Sequence, residues 1–378
     1  MRIGFDAKRL YCNFTGLGNY SRAVLRDLGQ FCPDYEYYLY TPAVSQNGET
    51  RYFLEDSTYR TQRYEGRLEW LWRSYAITNR LRADGISLYH GLSHELPINI
   101  HQSGIKSVVT IHDLIFEIFP QTYSFLDRSI YRLKFKRSCC IADRIVAISE
   151  STKRDIVERY GIDPQKIEVI YQSCHPLFYE PTPPSLDTSP VRRYNLPSEY
   201  LLYVGSITPR KNLGIVIEAY EQLSPEERIP WVIIGTGRKH QQELAKRIAE
   251  KQLDRWVIWI SDLADNYQLK VLYEHAAALI YPSLYEGFGL PVVEGLLCKT
   301  PVITSNTSSL PEAGGPHSAY VNPNRADEIA HALRKVLSDT NLRTTMKEEG
   351  YRYATEKFSR KRVTEELSSL YQRTLHDG

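Results

Sequence analysis

The chain has 378 residues, 24% of them charged and 42% hydrophobic, enough for roughly two domains with sizeable cores. Lysine and arginine number 47 against 45 acidic residues, a formal charge of +2, which excludes the strongly basic footprint of a dedicated nucleic-acid binder. No run approaches the ~18 apolar residues of a membrane span. The start, Met1-Arg2-Ile3-Gly4-Phe5-Asp6, enters a buried-strand pattern without an apolar leader, so a cytosolic protein is expected.

Short β-rich apolar runs alternate with longer amphipathic stretches, the pattern of an α/β fold with parallel sheets. In chain order the predicted strands are Ile3–Phe5, Tyr37–Tyr40, Ile86–Tyr89, Val108–Ile111, Ile145–Ala147 and Ile167–Ile170. A turn-rich stretch follows, with His175-Pro176-Leu177, Pro181 to Pro184 and Ser189-Pro190, and reads as a linker. The alternation restarts with Leu201–Val204, Trp231–Ile234, Val257–Ile260, Ala278–Tyr281 and Val302–Thr304. From about Glu328 to Leu375 the periodicity is helical, in two or three segments. The chain therefore reads as two Rossmann-like halves joined near 175–198, and ligands of such sheets sit beyond the carboxyl ends of the strands, here in a cleft between the halves. The cysteines Cys12, Cys32, Cys139, Cys140, Cys174 and Cys298 have no C-x-x-C spacing and read as reduced and scattered.

The most informative segment runs from Tyr281 to Glu294. It ends a strand, passes Glu286-Gly287-Phe288-Gly289-Leu290 and opens a helix at Pro291. Gly287 and Gly289 let backbone approach a ligand, and a helix N-terminus offers donors and a positive dipole end to a phosphate. Carboxylates such as Glu286 and Glu294 suit the vicinal hydroxyls of a sugar, although a helix start with two solvated carboxylates would look the same. Gly205-Ser206-Ile207-Thr208-Pro209-Arg210-Lys211-Asn212 is a second strand-turn-helix junction. Its Arg210 and Lys211 would suit a diphosphate, or form an exposed basic turn.

Gly16-Leu17-Gly18 follows the first strand, but Ser21 stands where a dinucleotide fingerprint needs its third glycine. Gly235-Thr236-Gly237 repeats the theme with little specificity. His90 and His112-Asp113 follow strands and face either a substrate or the core. There is no P-loop, H-E-x-x-H, G-x-S-x-G or Asp-x-Asp, so neither a protein-held metal nor a P-loop mechanism has support.

Taken together these segments resemble the retaining GT-B glycosyltransferases of family GT4 (group 1), over essentially the whole chain. The sharpest part is Pro282-Ser283 through Glu294, which matches the pattern P-S-x-x-E-G-F-G-L-P-x-x-E. The resemblance implies an N-terminal acceptor-side domain at 1–176, completed by a C-terminal helix at 360–378, and a nucleotide-sugar-binding domain at 177–359. It implies that Glu294 holds the donor ribose, while Glu286 and the backbone of Gly287, Phe288, Gly289 and Leu290 hold the donor sugar and phosphate. Lys211 with Arg210 would neutralise the leaving diphosphate, Gly16 and Gly18 would close over it, and His112 would stand near the reacting sugar. Ser206 replaces an arginine common in the family, Lys299 a glycine and Ser261 another, which leaves the diphosphate clamp leaning on Arg210 and the nucleobase contacts undefined.

The implied reaction is metal-independent, needs no cofactor, and moves a hexose from a nucleoside diphosphate sugar to a glycan or a polyprenyl-diphosphate-linked oligosaccharide in surface polysaccharide synthesis. The junction at 204–213 looks closest to a bacterial mannosyltransferase-like branch, so GDP-mannose is the first donor expected, with UDP-glucose, UDP-galactose or a UDP-N-acetylhexosamine next. A nucleotide-sugar epimerase, a non-catalytic two-lobed binding protein and an α-glucan synthase are the competing readings. Two basic stretches stand apart. Residues 60–82 hold six arginines against Glu65 and Glu69, with Trp70, Trp72 and Tyr75 interleaved. Residues 124–146 hold six lysines or arginines against Asp127 and Asp143, with Leu126, Ile130, Leu133 and Ile141 among them. They read either as core-packed helices with solvated outer faces or as a peripheral contact with anionic membrane at its inner face.

Overall fold

Thirteen strands, each only three to six residues long, build two separate parallel sheets in the computed structural model, which describes residues 1–181, 189–263 and 265–376. The chain divides into two units. Unit 1 is Met1–Ser173 together with the chain from Phe358 on, and unit 2 is Cys174–Lys357.

Unit 1 contains β1 (Arg2–Asp6), β2 (Glu36–Thr41), β3 (Tyr59–Arg63), β4 (Leu88–Gly91), β5 (Lys106–Ile111), β6 (Arg144–Ala147) and β7 (Ile167–Val169). Their order is β3-β2-β1-β4-β5-β6-β7, so the winding reverses between β1 and β4. Both faces of the sheet are covered, which is why the strands read as continuous apolar runs. Alternate residues of β2 go to opposite layers: Tyr37 and Leu39 join one core, Tyr38 and Tyr40 the other. The helix Arg360–His376 adds Val363, Leu367, Leu370 and Tyr371 to the first core at three- and four-residue spacing, which anchors the end of the chain in unit 1. Residues 377–378 of the expected C-terminal helix lie outside the described residues.

Unit 2 contains β8 (Leu201–Val204), β9 (Trp231–Ile234), β10 (Val257–Ile260), β11 (Ala278–Tyr281), β12 (Val302–Ser305) and β13 (Ala319–Val321), in the order β10-β9-β8-β11-β12-β13. Here the winding reverses between β8 and β11. The helical tail resolves into Ala326–Ser338, Thr340–Lys357 and Arg360–His376.

Three features differ from the sequence reading. β3 and β13 were not expected. Both are sheet edges, and β3 (Tyr-Arg-Thr-Gln-Arg) buries little beyond Tyr59, so it has no apolar run to find. The expected linker carries structure: a 3₁₀ turn at Pro176–Tyr179 and a short helix at Ser189–Arg193, where Pro190 occupies the first turn, the one part of a helix that tolerates it. Residues 182–188 of that linker lie outside the described residues.

Candidate active site

In unit 2 the loops after β8 and β11 meet at the point where the winding reverses, the usual ligand position of such a sheet. The turn Pro209–Lys211 ends at Asn212, whose φ of +60° asparagine tolerates better than most residues. Asn212 Nδ2 donates to the carbonyls of Pro282 (3.2 Å) and Pro323 (2.7 Å), and the Leu284 N–H donates to the Arg210 carbonyl (2.9 Å). These bonds fasten one loop to the other, so the side chains they carry are held in register.

Glu286 is the centre of the arrangement. Its backbone N–H donates to Ser308 Oγ at 2.9 Å, and the Ser309 hydroxyl donates to the carbonyls of Glu286 and Phe288. Lys211 Nζ donates to Glu286 Oε1 at 2.6 Å and to the Tyr281 hydroxyl at 2.5 Å. The Arg210 guanidinium reaches the same carboxylate oxygen at 2.9 Å and also donates to the Tyr285 carbonyl. All three charged side chains are largely buried. Burial alone would push the Glu286 carboxyl up, but the charges of Lys211 and Arg210 outweigh it and hold it at about 2. Two cations thus meet on one carboxylate at the head of a parallel sheet.

Gly289 turns the chain into the helix Leu290–Leu297 with a φ of +122°, and a Cβ there would lie 3.0 Å from Leu310 Cδ2. Pro291 is the second helical residue, where a missing N–H costs no intrahelical bond. Glu294 sits one turn further in. Among the described residues its partner is the Tyr273 hydroxyl, which donates to Oε2 at 3.0 Å. Burial raises its carboxyl to about 7, with that hydroxyl pulling the other way. The two glutamates of the motif are therefore set in opposite conditions: Glu286 is fixed as an anion, and Glu294 is a weakly acidic group with acceptor capacity to spare.

The remaining candidates have other surroundings. In unit 1, Gly16 faces open space at the start of the helix Gly16–Phe31, whereas a Cβ on Gly18 would lie 1.7 Å from the Asn13 carbonyl oxygen. Glycine at 18 is thus required by the chain's own loop. Gly235 and Gly237 similarly admit the backbone of Gly205 and Ile207. His112 follows β5 and is buried. Its Nε2 lies 2.9 Å from the Leu92 carbonyl, which can only accept, so that nitrogen carries the proton, and Nδ1 accepts from Gln172 Nε2 at 3.2 Å. Burial lowers its pKa to about 4, so the ring is neutral. Both ring nitrogens of this candidate are thus engaged with the protein. His90 is a core residue, bonded to Tyr371 (2.6 Å) and Thr110 (2.8 Å) and held down to about 3 by burial. Lys299, with φ +54°, lies in a surface turn and pairs with Glu348. Tyr203 donates to the Ser206 carbonyl.

Several residues escaped the sequence reading. The Tyr281 hydroxyl accepts from Lys211 and the Tyr273 hydroxyl donates to Glu294, contacts that no short motif encodes. In unit 1 the end of β1 carries a second ion cluster: Arg73 donates to Asp6 Oδ2 at 2.5 and 3.0 Å and to Glu95 Oε2 at 2.8 Å, with Lys134 at 3.5 Å from Glu95. Arg73 lies on a one-turn π-helix, Trp72–Ala76, a rare form often found at functional positions.

A model of the glycosyl transferases group 1 matches residues 189–353, and a model of glycosyltransferase family 4 matches residues 14–174. O-antigen chain mannosyltransferase B of Escherichia coli is 29% identical over 289 residues, 75% of this chain and 74% of that protein. The serotype-specific mannosyltransferase WbdA of Escherichia coli is 31% identical over 270 residues, 67% of this chain but 32% of that protein, so the chain spans about a third of its length. Anabaena HepE, solved in complex with UDP, superposes with a TM-score of 0.77 at 17% identity, covering 99% of this chain and 100% of that one, a likeness of fold.

Proposed function

Because the chain belongs to family 4 of the group 1 glycosyltransferases and has their GT-B fold, we propose that it transfers a hexose, with retention at the anomeric carbon, from a nucleoside diphosphate sugar to a glycan or lipid-linked oligosaccharide in surface polysaccharide synthesis. The observation that carries this reading is the Lys211–Glu286–Arg210 cluster at the head of β8 and β11, one carboxylate between two cations. An incoming diphosphate meets both cations. As the bond from the anomeric carbon to the phosphate oxygen breaks, negative charge grows on the leaving group, where Lys211 and Arg210 stabilise it at a preorganised position. The acceptor oxygen bonds to the anomeric carbon on the same face, and its proton passes to the departing phosphate.

Glu286, ionised at every working pH, keeps both cations in place until the donor arrives and then accepts from a hydroxyl of the donor sugar. Glu294 accepts from the ribose diol, which stabilises its ionised form. The Gly287–Leu290 backbone contributes N–H donors at the helix start. Two side-chain cations at the diphosphate position support a reaction that needs no metal, so chelation by EDTA should leave the rate unchanged.

GDP-mannose is the donor this reading favours, supported by the likeness to the two mannosyltransferases, and a UDP-sugar is the alternative, supported by the fold shared with a UDP-bound protein. A thermal-shift panel of GDP, UDP, ADP and their sugars separates the two, since a ligand well above its Kd raises the melting temperature measurably. A shift with GDP but not UDP is expected. A shift with UDP alone overturns the donor and keeps the transferase. No shift with any nucleotide removes the transferase reading.

A further inference from the structure

Exposed large apolar side chains are concentrated in two segments of the described chain. Among the described residues all of them lie in unit 1, and all but Phe14, Tyr52 and Ile98 fall within 68–75 and 123–133. Phe125 is 81% exposed, Leu133 71%, Trp70 70% and Leu126 68%. The helix Phe125–Ile141 buries only Phe135, Ser138 and Cys139, so the stripe Leu126, Ile130 and Leu133 points away from the core that its spacing would ordinarily serve.

The two segments are neighbours. Glu95 binds Arg73 of the first at 2.8 Å and Lys134 of the second at 3.5 Å. The Ile98 N–H donates to the Ser74 carbonyl at 2.7 Å, and Arg137 donates to the Ile98 carbonyl at 3.1 Å. The loop Glu95–Ile98 therefore joins both segments, and Ile98 adds its own exposed side chain between them. Cations are interleaved with this apolar surface. Arg67, Arg128, Lys136 and Arg137 have no carboxylate partner among the described residues.

A contiguous exposed apolar patch marks an interaction surface, and its charge selects the partner. Protein interface cores are depleted of lysine. A two-fold contact with a second copy would set these cations against themselves. An anionic bilayer suits both halves of the chemistry: apolar side chains enter the boundary between headgroups and acyl chains, tryptophan and tyrosine favour that depth, and lysine and arginine meet lipid phosphates. No helix of the described chain is long and apolar enough to cross a membrane, so the contact is peripheral. We propose that this face of unit 1, built from 68–75, Ile98 and 123–137, docks on an anionic lipid surface.

The test is co-sedimentation of the full chain with phosphatidylcholine vesicles, with and without phosphatidylglycerol. Binding to the phosphatidylglycerol vesicles alone is expected, and it should weaken as salt rises. The triple variant Trp70→Ser/Leu126→Ser/Leu133→Ser and the pair Lys136→Glu/Arg137→Glu should each lower the partition by about tenfold or more, with the nucleotide-induced thermal shift unchanged. These residues are exposed, so the fold should tolerate the changes. Absence of binding to anionic vesicles overturns the proposal, as does a triple variant that binds like wild type. A dimer in solution that the same triple variant dissolves, without vesicle binding, overturns it in favour of a second copy. Nucleotide binding reads unit 2 and vesicle binding reads unit 1, so either can fail while the other stands.

Discussion

Both sheets carry an ion cluster where their winding reverses, and the two clusters have inverse compositions. At the head of β1 and β4 one arginine, Arg73, lies between two carboxylates, Asp6 and Glu95, and Lys134 completes the balance. At the head of β8 and β11 one carboxylate, Glu286, lies between two cations, Arg210 and Lys211. The same topology thus builds one cation between two carboxylates in unit 1 and one carboxylate between two cations in unit 2. The histidines strengthen the contrast. His90 and His112 are neutral and have both nitrogens occupied, so the strand ends of unit 1 offer little to an anion. The pair of cations, more than the fold, is what supports the proposed diphosphate position in unit 2.

The largest effects come from removing a carboxylate from each cluster. Glu286→Gln leaves two buried cations without their anion, and Asp6→Asn leaves Arg73 with one carboxylate; each should cost about 3–5 kcal/mol in denaturant unfolding of the free protein. The two should then part. A nucleoside diphosphate supplies anion to the Glu286→Gln site, so it should raise the melting temperature of that variant more than that of wild type. For Asp6→Asn the nucleotide shift should equal the wild-type shift. Equal nucleotide shifts in all three proteins would dissolve the contrast between the clusters.

Lys211→Ala should lower kcat by on the order of a hundred- to a thousandfold, as for loss of one preorganised donor to a developing anion. Steady-state kinetics with the donor checks it, and the KM for the acceptor should stay near wild type. A variant with near-wild-type turnover would detach the cluster from catalysis.

Glu294 sharpens the picture through pH. A diol that donates to its carboxylate binds the ionised form, so nucleotide-sugar affinity should rise with pH up to about 7 and level off above it. Below that point the loss is up to about tenfold per pH unit, and Glu294→Gln should flatten the profile. The free protein should behave oppositely. With its pKa raised in the fold, Glu294 contributes stability that is present below the ordinary carboxylate pKa and lost as pH rises through about 7. Glu286 has the other sign: its stabilisation is present above the ordinary carboxylate pKa and lost as pH falls toward about 2. The smallest effect belongs to His90→Phe, which leaves the Tyr371 hydroxyl short of a partner, costs about 1 kcal/mol of stability and leaves kcat unchanged.

What could be read from the sequence was local. The strand-turn-helix junctions and the proline at 291 are set by neighbouring residues, so they were legible, whereas the space beside Gly289, read as room for a ligand, is bounded by Leu310 and Ala313, more than twenty residues on. The partner of Glu286 is 75 residues away, and no spacing announces that Lys211 reaches it. The state of His112 depends on Leu92 and Gln172, 20 and 60 residues distant, so the ring looked available until both nitrogens were seen engaged. β3 and β13 bury too little to leave an apolar signature. The stripe Leu126, Ile130 and Leu133 shows the converse: helical spacing of apolar residues defines a face, but does not say whether the core or something outside the molecule covers it.

The most direct measurement is calorimetric titration of GDP and UDP into the wild-type chain and into the Arg210→Ala/Lys211→Ala double variant. One of the two nucleotides should bind wild type, and its affinity should fall by about a hundredfold in the double variant, as expected for two lost charge-assisted contacts to phosphate. Equal affinity in the two proteins, or no binding of either nucleotide to wild type, would contradict the assignment of the diphosphate to the Lys211–Glu286–Arg210 cluster.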